Sequence, residues 1–372
     1  MAENPFLTYR TRLDSYQRAA ANGWSDSQFV ELVDRLDMSI ATVEGHGFET
    51  TPLTPFPELH PGGADLWVKD DTGNVGGSHK SRHLFGVILA EAVDGPAQGD
   101  LAIASCGNAA IAASVIAKAI DRPLHVFIPT WADQAIVDVL QSNGALIEVC
   151  PRRPGESGDP TYLRFLEAVS NGATPFSVQS PATPTTLDGG RTMGWELADQ
   201  LVSVQATGTI NVFIQVGGGA LASATWAGLT EALASTSTIE PVLFPVQTEA
   251  CAPLARAWNE LKASGLSAAK TLDLATADPD RFMRPWEPIG QSEATGILDD
   301  VTYDWLPVLS GMLTSGGEPV VVDETTVVAA HQRGRAITHL DVEPTGTAGY
   351  AGLLASRRPE PAVVLFTGVS RF

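Results

Sequence analysis

Short apolar runs rich in valine and isoleucine alternate along this chain with longer stretches in which apolar positions recur every three or four residues. The first pattern predicts buried strands and the second predicts helices. Strands are expected at 66–68, 101–104, 124–128, 145–149, 211–216, 242–247, 319–322 and 362–366. Helices are expected at 109–119, 133–142, 162–170, 192–201, 222–232, 253–262, 325–333 and 347–355, and a further amphipathic one carries Leu84, Val87, Ile88 and Glu91. Strand and helix taking turns in this way build an α/β fold with mostly parallel sheets flanked by helices. The strands fall into two series, so two lobes are expected. Residues 1–49 read as an N-terminal helical arm that wraps a partner subunit, and 267–288 is weakly patterned. No internal repeat is visible.

Several strand-to-helix junctions carry polar groups suited to chemistry, and in an open parallel sheet these junctions gather where ligands bind. Lys80 follows the small-residue turn 73–78 and opens an apolar helix. A lysine amine loses its proton readily when desolvated, and the neutral amine is a nucleophile able to form a Schiff base; the plainer reading of Lys80 alone is a solvated helix start. Gly217, Gly218 and Gly219, followed by Ala220 and Leu221, sit between a strand and a helix. Their bare backbone N–H groups suit a phosphate, although such a turn also serves close packing. Ser105, Cys106, Gly107 and Asn108 open another helix, a position suited to a carboxylate, and Thr367 places a hydroxyl at the end of the last strand.

Together these segments resemble the fold type II pyridoxal phosphate enzymes, the tryptophan synthase β-like family, from about Thr51 to Thr367. Within that family, where threonine synthase and threonine dehydratase are the nearest in resemblance, 69–82 is most similar to the threonine synthase pattern, keeping Asn74, Gly77, Ser78, Lys80 and Arg82. It departs at Asp71, Val75, Gly76, His79 and Ser81, and a His-Lys pair is what the tryptophan synthase β chain shows. The resemblance implies pyridoxal 5′-phosphate as cofactor, with Lys80 as the Schiff-base and proton-shuttling lysine. Gly217, Gly218, Gly219, Ala220 and Leu221 would hold the phosphate, Asn108 the cofactor's 3′-oxygen, and Thr367 would face the pyridine nitrogen. His79 is either a phosphate neighbour or a packed neighbour of Lys80. Ser105, Cys106, Gly107, Asn108 and Gly189 would bind substrate. The family architecture assigns 1–83 and 185–372 to a large cofactor-binding lobe, and 84–184 to a small inserted lobe that closes on substrate. A homodimer is implied as well.

A neutral hydroxyl cannot keep the pyridine nitrogen protonated as a carboxylate would, so the ring is a weaker electron sink. That favours reactions in which loss of the Cα proton is coupled to departure of a β- or γ-substituent. The expected activity is therefore a serine/threonine dehydratase-like ammonia-lyase acting on a small polar α-amino acid. The alternatives are a replacement synthase of the threonine synthase or cysteine synthase kind, for which Arg82, Arg191 and Lys69 are available to a substrate phosphate, and a non-catalytic homologue that binds the cofactor.

Composition narrows the partners. With 43 acidic and 23 basic residues the formal charge is −20, which disfavours nucleic acid and anionic membrane surfaces. No run approaches the ~20 apolar residues of a membrane span, and 1–30 lacks the pattern of a secretory signal. Cys106, Cys150 and Cys251 have no pair spacing, so neither disulfides nor zinc are expected and a cytoplasmic setting follows. Cys106 suits a small apolar helix-start residue better than a nucleophile, since no His/Asp pair stands at diagnostic spacing. Glu293, Asp299 and Asp300 read as solvated acids, and no metal is expected.

Overall fold

The computed structural model describes residues 3–95, 99–234 and 238–371. They form two compact units, one made of the chain up to Thr50 with Asn74–Thr192, the other of Thr51–Gly73 with Met193–Arg371.

The first unit is built on a four-stranded parallel sheet in the order Leu146–Val149, Leu124–Ile128, Leu101–Ala104, Thr174–Pro175. Ala102 and Phe127 of this sheet pack with Cys150 and Phe165. Helices Lys80–Asp94 and Asn108–Ala119 lie against each other, and the N-terminal helices Asp14–Ala21 and Asp26–Glu44 pack on them in turn. Asp26–Glu44 starts with a reciprocal capping box between Ser25 and Gln28, which satisfies two N–H groups the helix leaves open, and stops at Gly45 with φ +93°. Helix Lys80–Asp94 was expected to be amphipathic but is buried from Ser81 through Ala90. The N-terminal helices cover the face that periodicity alone would leave to water.

In the second unit six strands run in the order Leu53–Pro55, Leu66–Asp70, Ala362–Phe366, Gly208–Gln215, Ile239–Thr248, Val320–Val322. Only the first pair is antiparallel. Because side chains alternate across a strand, Val363 and Leu365 join Trp67, Val212 and Ile214 on one face. Val364 and Phe366 join Val68, Phe213 and Phe244 on the other. Both faces are covered, which is why these strands are mostly apolar, with a few polar residues such as Lys69, Gln215 and Gln247 buried among them.

The main differences from the sequence-based elements have local causes. Residues 267–288 contain helices Ala268–Ala277 and Pro279–Phe282; the first buries only Thr271 and Ala275, so no apolar stripe announces it. Helix Trp305–Ser315 was not anticipated. The helix placed at 192–201 spans Thr186–Ser203. Its first turns carry Asp188, Gly189 and Gly190, residues of low helix propensity, and packing overrides that preference. Among the described residues no helix is long and apolar enough to cross a membrane.

Candidate functional site

The first unit holds Lys80, His79, Ser105, Cys106, Gly107, Asn108 and Gly189; the second holds Gly217 to Leu221 and Thr367.

Lys80 is the first residue of its helix and half-buried. The turn before it is tightly built. Gly77 N–H donates to Asn74 O at 2.7 Å, Asn74 Nδ2 donates to Ser78 O at 3.1 Å, and Gly76 N–H donates to Glu44 Oε1 at 2.9 Å. Gly76 and Gly77 have φ of +63° and +64°, a region in which a side chain is strained. A Cβ on Gly76 would also come 3.2 Å from Ala112 Cα. Helix Asn108–Ala119 therefore rests on the turn that delivers Lys80, and brings its own first residue, Asn108, and the loop 105–107 into the same neighbourhood. Ser105 Oγ accepts from Gly107 N–H at 3.4 Å, and 105–108 are half-buried where 74–79 are buried.

His79 and His83 flank Lys80 with their rings edge to face, centroids 5.7 Å apart. Burial, reinforced by the Lys80 charge, holds His79 well below the usual histidine range and lowers His83 to about 3. A neutral His83 must then donate Nδ1–H to Thr186 O, 3.0 Å away. Gly189 lies where helices Lys80–Asp94 and Thr186–Ser203 touch: its Cβ would sit 2.0 Å from Arg82 O, and a Cβ on Gly86 would sit 2.5 Å from Gly189 N.

The cations considered for a substrate phosphate are engaged elsewhere. Arg82 is fully buried and donates to Thr192 Oγ1 at 3.1 Å. Arg191 binds Asp14 and Asp188 at 2.8 and 2.7 Å, while Asp188 also accepts the N–H groups of Asp14 and Ser15 at the start of helix Asp14–Ala21. Lys69 is fully buried in an ion pair with Glu196 at 2.7 Å.

In the second unit, strands Gly208–Gln215 and Ala362–Phe366 are parallel neighbours with Phe213 opposite Val364. Continuing that register puts Thr367 level with Val216, so the hydroxyl and the glycine turn emerge at one carboxyl edge. Gly219 has φ +97° and caps helix Ala220–Leu233, whose bond from Ser223 N–H to Gly219 O is 2.9 Å. The N–H groups of Ala220, Leu221 and Ala222 precede that ladder. A Cβ on Gly217 would meet Ile297 Cα at 2.9 Å and Asp299 Oδ2 at 2.4 Å. Asp304 N–H donates to Gly218 O at 2.8 Å.

Sequence reasoning gave no role to the two glutamines that hold this edge. Gln215 Nε2 donates to Gly346 O and Leu365 O at 3.2 and 3.3 Å, and Gln247 Nε2 donates to Val216 O at 3.3 Å. The Glu343 carboxylate lies against Gly368, where a Cβ would fall 2.2 Å from Oε1. A glutamine inside an apolar strand was the available signal. Pyridoxal phosphate carries a phosphate, a ring nitrogen and an aldehyde, and the groups present are of kinds that fit it: the second unit has a glycine turn at a helix start and a hydroxyl at the sheet edge, and the first unit has a lysine on a rigid turn.

A family model described as pyridoxal-phosphate dependent enzyme matches residues 46–368. No curated protein matches the chain. Among solved structures, a threonine deaminase from T.th. is 20% identical with a TM-score of 0.68, covering 91% of this chain and 98% of that one. Maize serine racemase is 20% identical with a TM-score of 0.67, at 91% and 93% coverage. The L-serine ammonia-lyase of Rhizomucor miehei is 17% identical with a TM-score of 0.64, at 86% and 94%. The likeness to these structures is one of fold, and the family match spans most of the chain, so this protein belongs to the pyridoxal-phosphate dependent enzymes of fold type II.

Proposed function

We propose that the protein is an ammonia-lyase that removes a β- or γ-leaving group from a small polar α-amino acid, releasing ammonia and a keto acid. The observation that supports this most is the neutral group at the sheet edge: Thr367, not a carboxylate, directly follows strand Ala362–Phe366. Pyridoxal phosphate, when bound, withdraws electrons from the substrate's Cα. Lys80 Nζ is the group assigned to take the Cα proton, and the rigid turn behind it limits where that amine reaches. The N–H groups from Gly217 to Leu221 bind phosphate, Asn108 and His79 orient the cofactor, and Ser105, Cys106, Gly107, Asn108 and Gly189 contact substrate. Engagement of Arg82, Arg191 and Lys69 within the protein weighs against a phosphorylated substrate, and so against a threonine synthase-like reaction.

The test is to titrate the purified protein and Lys80→Ala with serine, threonine and their O-acyl and O-phospho forms, following visible absorbance, keto acid, ammonia and substrate stereochemistry. The wild type is expected to show a visible band that Lys80→Ala lacks, and equal yields of keto acid and ammonia, with turnover reduced on the order of 10²–10⁴-fold in the variant. Inversion of Cα without keto acid would make the protein a racemase. Product formed only when a nucleophile is added would make it a replacement synthase.

A further inference from the structure

The residue that ends helix Asp26–Glu44 runs against the local preference of a helix. The open carbonyl groups of a last turn carry partial negative charge and favour a cation there, yet the last residue is Glu44 and no basic residue stands in that turn. Local rules of this kind are broken mainly where a contact elsewhere compensates. Glu44 is half-buried, and its Oε1 accepts the N–H of Gly76, 32 residues away, at 2.9 Å. The chain after Glu44 is fixed as well. Gly45 stops the helix and donates to Ala41 O at 2.9 Å. Phe48 N–H donates to Asp37 Oδ1 at 2.7 Å. The Phe48 ring packs on Phe85 of the lysine helix, centroids 4.7 Å apart, and Phe6 meets both rings edge to face at 5.1 and 4.5 Å. The end of helix Asp26–Glu44 is thereby tied to the helix that Lys80 opens.

The turn before Lys80 gains from such an anchor. Gly76 and Gly77 both adopt left-handed backbone, and glycine has more conformational freedom to lose on folding than any other residue. Bonds within the turn are short in range: Gly77 N–H to Asn74 O at 2.7 Å, Asn74 Nδ2 to Ser78 O at 3.1 Å, and Lys80 N–H to Ser78 Oγ at 3.4 Å. Glu44 restrains the turn from outside, and a hydrogen bond to a carboxylate is stronger than one between neutral groups. Ala112 of helix Asn108–Ala119 supports the same glycine, and helix Asp26–Glu44 packs on that helix. The carboxylate and Ala112 are thus carried to Gly76 by two helices that rest on each other.

We infer that Glu44 is a positioning residue for Lys80: its carboxylate holds Gly76 N–H, fixes the turn of two glycines, and so sets where the lysine helix begins. The inference rests on the reading of Lys80 as the cofactor lysine. A bond of merely structural value would affect stability alone, whereas a positioning bond affects capture of the cofactor. Pyridoxal phosphate is therefore titrated into full-length, cofactor-stripped wild type, Glu44→Ala, Glu44→Gln and Lys80→Ala, following the visible band, and amide hydrogen exchange over 74–80 is measured before the cofactor is added. In Glu44→Ala, cofactor affinity is expected to weaken and exchange in the turn to quicken, each on the order of ten-fold, as for loss of a hydrogen bond to a charged group. Its urea midpoint is expected to stay near that of wild type, because losing the bond is offset by removing an acid from a helix C-terminus. Glu44→Gln keeps an acceptor oxygen and is expected to fall between the two. With the band lost in Lys80→Ala, the inference would be overturned by unchanged affinity and exchange in Glu44→Ala, by Glu44→Gln binding no better than Glu44→Ala, or by a lowered urea midpoint with exchange raised throughout the first unit. A band retained in Lys80→Ala would instead overturn the assignment of the lysine, and the inference with it.

Discussion

At the scale of single residues, the buried histidines beside Lys80 tie stability to pH. His83 is lowered to about 3 by burial and by the Lys80 charge, whereas an unfolded histidine titrates near 6.5. The unfolded chain therefore binds a proton that the folded chain refuses. Stability from this source is complete above pH 6.5 and is lost as pH falls from there toward 3, at up to about 1.4 kcal/mol per pH unit. His79 acts in the same direction. In His83→Asn the side-chain amide can still donate to Thr186 O. Urea melts should show this variant losing about 2 kcal/mol less than wild type between pH 7 and pH 5; an equal loss would show that His83 does not carry the effect.

At the scale of elements, the crossing of Lys80–Asp94 with Thr186–Ser203 sets the position of the lysine helix within the first unit. The contact at Gly86 and Gly189 is backbone on backbone, and a methyl group at Gly189 would meet a carbonyl 2.0 Å away. Gly189→Ala should cost about 1–3 kcal/mol in urea unfolding, the usual range for overpacking a well-packed contact. Gly107 makes a useful contrast. Nothing lies within 4 Å of its Cβ position, and its φ of −140° suits any residue, so Gly107→Ala should retain stability to within about 0.5 kcal/mol. If the two variants were equally stable, the glycines at the crossing would not be a packing requirement.

At the scale of the whole molecule, distant stretches of sequence meet in a buried polar cluster of the second unit. Lys69 Nζ donates to Thr51 O, Glu196 Oε2 and Gln200 Oε1 at 2.6, 2.7 and 3.0 Å, which uses all three of its N–H groups. Thr51 Oγ1 reaches both Asp71 and Glu196, and Asp71 N–H donates to Phe366 O, next to Thr367. Removing one partner of a buried ion pair strands the other charge. Lys69→Met and Glu196→Leu should thus each cost about 3–5 kcal/mol. The double variant should cost much less than their sum, because it strands neither charge. Additive losses in a double-mutant cycle would show that the two residues act separately.

The parallel α/β architecture and most strand-to-helix junctions were legible in the sequence, because strands buried on both faces are apolar at most positions and glycine or hydroxyl groups at their ends stand out. Lys80, the turn 217–219 and Thr367 could be singled out for that reason. Legibility failed wherever a contact partner lay far along the chain. Helix Ala268–Ala277 has no stripe to reveal it, Gly189 looks like a loop residue until Arg82 O is placed beside it, and Lys69, Arg82 and Arg191 look available until Glu196, Thr192 and Asp188 claim them. The sequence by itself determined most of the local elements, helices Ala268–Ala277 and Trp305–Ser315 excepted, and where reactive groups sit on them, since periodicity and turn chemistry are properties of neighbouring residues. Tertiary structure alone decided which charges are engaged within the protein and which histidines stay neutral. Burial and pairing depend on residues that only folding brings together.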